Sequence, residues 1–146
     1  MPFTPIRLLI LIDDQKGYCG RVVPRMKEML EDRAFEVDVH RIQDGPVDVE
    51  PYRGMIIGSP APGVSVKGTA PTPALDTFVR DSLPDLDELQ IAVFIVFDVH
   101  PGSSMDRMKG MIFDKGAELV ATHEYGLFRL DIEDHTIAAE CMVRIR

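Results

Sequence analysis

Two aspartates, a lysine and a glycine follow an aliphatic run in LLILIDDQKGYCG, Leu8 to Gly20. These residue types permit more than one chemistry. Amides beyond Gly17 can cradle a phosphate if a helix begins there, because the first N–H groups of a helix lack internal partners and sit at the positive end of its dipole. Asp13 and Asp14 could instead line an acidic metal pocket. Each residue also has a plain reading: Gly17 as a loop glycine with positive φ, Lys16 as a surface cation, Cys19 as a small buried hydrophobe. A helix N-terminus can nonetheless lower a thiol pKa.

Two further stretches put polar and small residues after apolar runs, Ser59 to Thr72 and Asp98 to Ser104. His100, between a strand end and Pro101, is either a loop residue or a ligand contact, since contacts concentrate on loops at strand ends. His40 and His123 fall in strands, and no His/Cys/Asp/Glu spacing resembles a metal site. No side chain is placed as a nucleophile or general base.

The elements that must position these loops alternate. Ile6 to Ile12 reads as a strand buried on both faces. Val22, Val23, Met26, Met29 and Leu30 then recur at helical spacing, with Pro24 near the helix start. FEVDVHRI alternates apolar and polar, which suits a sheet edge with one wet face. YRGMIIGSP and QIAVFIVFDV read as central strands. Between them Thr72 caps a helix with Pro73 at its first position and Leu75, Phe78, Val79 and Leu83 inward. A helix from Ser103 or Ser104 buries Met105, Met108, Met111 and Ile112 and stops at Gly116. A strand from about Ala117 to Glu124 follows, then a last helix from about Asp134 with Ile137, Ala138, Cys141, Met142 and Ile145 inward. Such alternation gives a three-layer α/β/α sandwich on a five-stranded parallel sheet in the order 2-1-3-4-5. Ligands in these sheets bind beyond the carboxyl ends of the strands, beside the switch in strand order.

At 146 residues the chain is expected to form a single domain over residues 1–146 with one core. Two cysteines are too few for a disulfide framework, and a reducing, cytoplasmic setting fits them. The apolar run ending at Asp13 is too short for a membrane span. A net charge of −8 weighs against a nucleic-acid partner, because phosphate backbones are held by Lys and Arg. Acidic residues at Asp81 to Leu89 and at Glu28, Glu31 and Asp32 read as a solvated face or as a surface that steers a basic protein.

Over nearly its whole length the chain resembles the flavodoxin family. Flavodoxins hold the phosphate of FMN in a loop T/S-x-T-G-x-T after the first strand, and the matching positions are Asp14, Gln15, Lys16, Gly17, Tyr18 and Cys19. Only the glycine agrees. GMIIGSPAPG is similar to the family's third strand and its I-I-G-[ST]-P loop, which makes Ser59, Pro60, Ala61, Pro62 and Gly63 ring-contacting positions. FDVHPGSS matches the second ring-contacting loop, with Asp98, His100 and Gly102. The resemblance implies FMN bound non-covalently with its phosphate against the amides of Gln15 to Cys19. It also implies electron transfer between partner proteins, one with a basic surface, by a monomer or homodimer.

Asp14 would bring a carboxylate to a dianion. No aromatic residue follows the third strand, so Ala61, Pro62, Gly63 and Val64 would cover one ring face, and the stretch Ser59 to Pro73 reads as a lid. Tyr18 and His100 are the nearby rings. A cofactor-free binding or assembly module and an FMN-dependent quinone or NAD(P)H reductase are the alternatives. A phospho-receiver domain shares the strand order and the paired acids, but here Gly58 and Ser59 stand where its aspartate belongs.

Overall fold

The computed structural model describes residues 5–63, 68–87 and 89–129. The last helix expected from about Asp134, and Val64 in the expected lid, lie outside them. Five parallel strands form one sheet in the order β2-β1-β3-β4-β5: β1 Arg7–Ile12, β2 Glu36–Arg41, β3 Gly54–Ala61, β4 Gln90–Phe97 and β5 Glu118–Gly126. The order is the one expected, and β2, the alternating strand, is indeed an edge.

The continuous apolar run of β1 has a structural reason. Successive side chains leave a strand on opposite faces, so Leu8, Ile10 and Ile12 pack on one side with Val23, Met26 and Leu30 of α1 (Val23–Asp32). Leu9 and Leu11 pack on the other, with Leu75 and Val79 in and just after α2 (Pro73–Thr77) and Met108, Met111 and Ile112 of α3 (Ser104–Asp114). Helices on both faces make every β1 position from Leu8 to Ile12 interior, and each such Leu or Ile contributes roughly 1.5–3 kcal/mol by leaving water.

Helix α2 (Pro73–Thr77) starts as its sequence directs: Pro73 opens it and the Thr72 side chain accepts the Leu75 N–H at 3.2 Å. Beyond Thr77 it widens into a π-helical turn over Phe78–Ser82. Lys115, just past α3, donates to the carbonyls of Arg80 at 3.0 Å and Leu83 at 2.6 Å, which closes that widened end. Cations on terminal carbonyls satisfy acceptors that the helix leaves open. Lys115→Met keeps the stem and removes the donors, and is expected to cost roughly 1 kcal/mol in a chemical unfolding curve. A midpoint equal to that of the parent would assign the closure to packing alone.

Two backbone features shape the carboxyl end of the sheet. Gly58 lies under the Phe94 ring, where a Cβ would collide with ring carbons. Pro60 stands in β3 beyond the point where β1 pairing ends at Gly58. Its missing N–H therefore breaks no ladder toward β1.

Candidate functional site

The first loop does not run straight from β1 into a helix. Two short 3-10 turns, Gln15–Gly17 and Cys19–Arg21, come first, with positive φ at Lys16 and Gly17, and α1 begins only at Val23. The expected helix start after Gly17 is thus displaced by several residues. Pro24, which must sit in a first turn, fixes where the α-helix can begin.

Within this loop the donors turn inward. Gln15 N–H bonds Asp13 Oδ1 at 3.0 Å and Gly17 N–H bonds the Asp14 carbonyl at 3.0 Å. Gly20 N–H bonds Asp14 Oδ1 at 3.1 Å. The Asp14 carboxylate holds one amide ahead of α1, that of Gly20, close to the position at which a bound anion would be drawn to a helix N-terminus. Arg41, at the end of β2, stands 3.8 Å from Asp14 but is engaged more closely by Asp44 at 3.3 Å.

Asp13 is completely buried. Its carboxylate takes three donors from three parts of the chain: Gln15 N–H, Gln43 Nε2 at 2.6 Å, and the hydroxyl of Thr72. A buried carboxylate persists only when its lone pairs are satisfied in this way. The same Thr72 oxygen caps α2, and its backbone N–H bonds Ser59 Oγ at 3.2 Å. Asp13 therefore ties the end of β1 to the loop after β2 and to the start of α2. Burial, reinforced by the charges of Asp13 and Asp14, pushes the Cys19 thiol well up, so it stays a protonated core group.

The other two loops meet at Asp98. Its Oδ1 accepts the N–H groups of Gly63 at 2.8 Å and Val99 at 2.7 Å, and its Oδ2 accepts the Tyr18 hydroxyl at 3.0 Å. Partial burial alone would raise the Asp98 carboxyl, but these hydrogen bonds outweigh it and hold it below the usual carboxylate range. Tyr18 is raised, first by its bond to Asp98.

The structure brings Tyr18, Gly63 and Asp98 together and leaves Lys16 exposed on the rim. Ser59, Pro60 and Ala61 belong to β3 and are buried, so the expected lid begins only at Pro62. Its far end is fixed: Ser104 Oγ accepts the N–H groups of Thr69 and Ala70 at 3.0 and 3.1 Å, and Thr69 Oγ1 reaches back to the Pro62 carbonyl at 3.1 Å. His100 Nδ1 accepts the Gly102 N–H at 2.9 Å, within its own loop.

Sequence reading missed Gln43 as a site residue. Nothing in a polar residue after an edge strand announces a buried carboxylate elsewhere. Thr72 was visible only as a cap, and Asp13 only as half of a pair.

Two cavities lie outside this region. One of about 670 Å³ lies at the amino ends of β3 and β4, between Asp48, Tyr52, Arg53 and Asp87, and one of about 290 Å³ lies between Asp76, Arg80, Arg107 and Asp114. Among the described residues no group of His, Cys, Asp or Glu is arranged to hold a metal ion, and no helix is long and apolar enough to cross a membrane.

No family model matches the sequence, and no curated protein matches it either. Solved structures do. Flavodoxin 1 from Bacillus cereus superposes with a TM-score of 0.74 at 24% identity, covering 96% of this chain and 99% of that one. A two-electron reduced flavodoxin from Megasphaera elsdenii superposes with a TM-score of 0.74 at 20% identity, covering 91% and 98%. A Fusobacterium nucleatum flavodoxin variant bound to flavin mononucleotide gives a TM-score of 0.62 at 10% identity, covering 95% and 94%. The fold is flavodoxin-like.

Proposed function

We propose that this chain is a flavodoxin-fold binding module that keeps no resident FMN and associates with a protein partner of basic surface. The observation that carries this reading is the Asp14 carboxylate on the Gly20 N–H, with buried Asp13 beside it. Gln15 and Gly17, two of the amides that would face a phosphate, are bonded inside the loop. A phosphate dianion arriving there would have to break those bonds and approach two carboxylates, with exposed Lys16 as the compensating charge on the loop. The residues present do not fit the phosphate of FMN.

The net charge of −8 supports the choice of partner. Acidic residues lie on α1 and around the amino ends of β3 and β4. An association of this kind weakens as salt is raised, because exposed charges are screened within about 8–10 Å at ordinary ionic strength. A reducing, cytoplasmic setting suits the two cysteines.

A second reading, favoured by the likeness to flavodoxins and by three loops converging at the switch point, is an FMN electron carrier or an FMN-dependent reductase. In such a protein the flavin would supply the redox chemistry. The two readings separate on one measurement. The purified protein is expected to be colourless and to quench no FMN fluorescence at micromolar concentrations. A yellow preparation, or titration to a submicromolar Kd, would overturn the first reading in favour of the second.

A further inference from the structure

Asp98 joins three segments that are remote in sequence. Tyr18 comes from the loop after β1, Gly63 from the loop after β3, and Asp98 itself follows β4, at sequence separations of 80 and 35 residues. The bonds are charge-assisted, a class roughly twice as strong as neutral ones. The Gly63 bond lies between the two loops that would flank a planar ring at the switch point, and the Tyr18 hydroxyl from the first loop is turned toward the same carboxylate.

We propose that Asp98 is an internal latch: it draws the loops after β3 and β4 together across the carboxyl end of the sheet and shuts the gap a flat aromatic ligand would enter. The latch deepens the reading of a site without resident FMN, and it is separable from the phosphate loop because it acts on the ring side. Opening it requires two donors, Gly63 N–H and Tyr18 O–H, to leave the carboxylate, while the Val99 N–H bond is local to the loop of Asp98 itself. A ring lacking a phosphate should feel Asp98 as strongly as FMN does.

Hydrogen exchange and riboflavin titration on the full chain test this. Riboflavin carries the ring system of FMN without the phosphate. In Asp98→Ala the Gly63 amide is expected to exchange about tenfold faster or more than in the parent, the factor that corresponds to losing one net hydrogen bond. Riboflavin and FMN affinities should both rise by a similar factor. Tyr18→Phe removes one arm and should give a smaller gain with the Gly63 bond retained. If Asp98→Ala fails to fold by circular dichroism, Asp98→Asn and Tyr18→Phe carry the comparison, because both keep an acceptor for Gly63 and weaken the Tyr18 arm.

Unchanged Gly63 exchange in a folded Asp98→Ala chain, or riboflavin binding equal across parent and folded variants, would overturn the latch. Tight FMN binding by the parent would instead overturn the cofactor-free reading, and the change in riboflavin affinity between the parent and Asp98→Ala would still decide the latch on its own.

Discussion

Thr72→Val is expected to destabilise the chain by about 2.5–4 kcal/mol, the sum of a hydrogen bond to a charged group at about 1.5–3 and an N-cap at about 1 kcal/mol. Valine has nearly the volume of threonine, so no cavity opens and the loss is chemical. One oxygen serves two roles: it donates to the completely buried Asp13 carboxylate and accepts the Leu75 N–H that opens α2. Removing it leaves Asp13 with Gln43 and Gln15 as donors, in surroundings where a charge short of partners is costly. Thr72→Ser keeps the oxygen and should lose far less. Denaturant unfolding reads the effect as a shifted midpoint with an unchanged slope. A Thr72→Val midpoint within about 1 kcal/mol of the parent would show that Asp13 does not depend on Thr72, and the network would have to be redrawn around Gln43.

The fold was legible because its signals are periodic and repeated. Continuous apolar runs at Leu8 to Ile12 and Ile91 to Val96 suit strands covered on both faces, and the alternation over Glu36 to Arg41 marks an edge. Thr72-Pro73 and Gly116 punctuated helices where they do in the structure. The loops after β1, β3 and β4 were legible in place, and the bonding of their side chains was not. Three loops at the switch point were expected and found, and Tyr18, Gly63 and Asp98 do meet. What the sequence could not reveal is where each carboxylate spends its lone pairs. Asp13 and Asp14 are neighbours in sequence, yet one is completely buried and bonds α2 while the other caps the amide of Gly20. That division depends on tertiary geometry, through Gln43 and Thr72, 30 and 59 residues away from Asp13. The lid was over-read for a related reason: Ser59 to Ala61 lack helical or alternating pattern, and they continue β3 along β4 after β1 has ended.

The Asp14 contact also states what would convert this loop toward anion binding. Asp14→Thr is expected to tighten FMN binding by about 1–3 kcal/mol, roughly fivefold to 150-fold, while leaving riboflavin affinity unchanged. The carboxylate acts against a phosphate twice. It holds the Gly20 N–H, one of the donors ahead of α1, and its charge repels a dianion. A threonine hydroxyl can release that amide and donate to the incoming oxygen. Arg41, 3.8 Å from Asp14 in the parent, would face the phosphate in place of a carboxylate. Buried Asp13 remains, with its three donors, so the gain stays well short of what a loop of hydroxyls would give. Calorimetry with FMN and riboflavin on the parent and Asp14→Thr separates the terms. Equal gains for both ligands would place the effect on the ring side, at Asp98, and no gain for FMN would mean that the anion seat is not where Asp14 now sits.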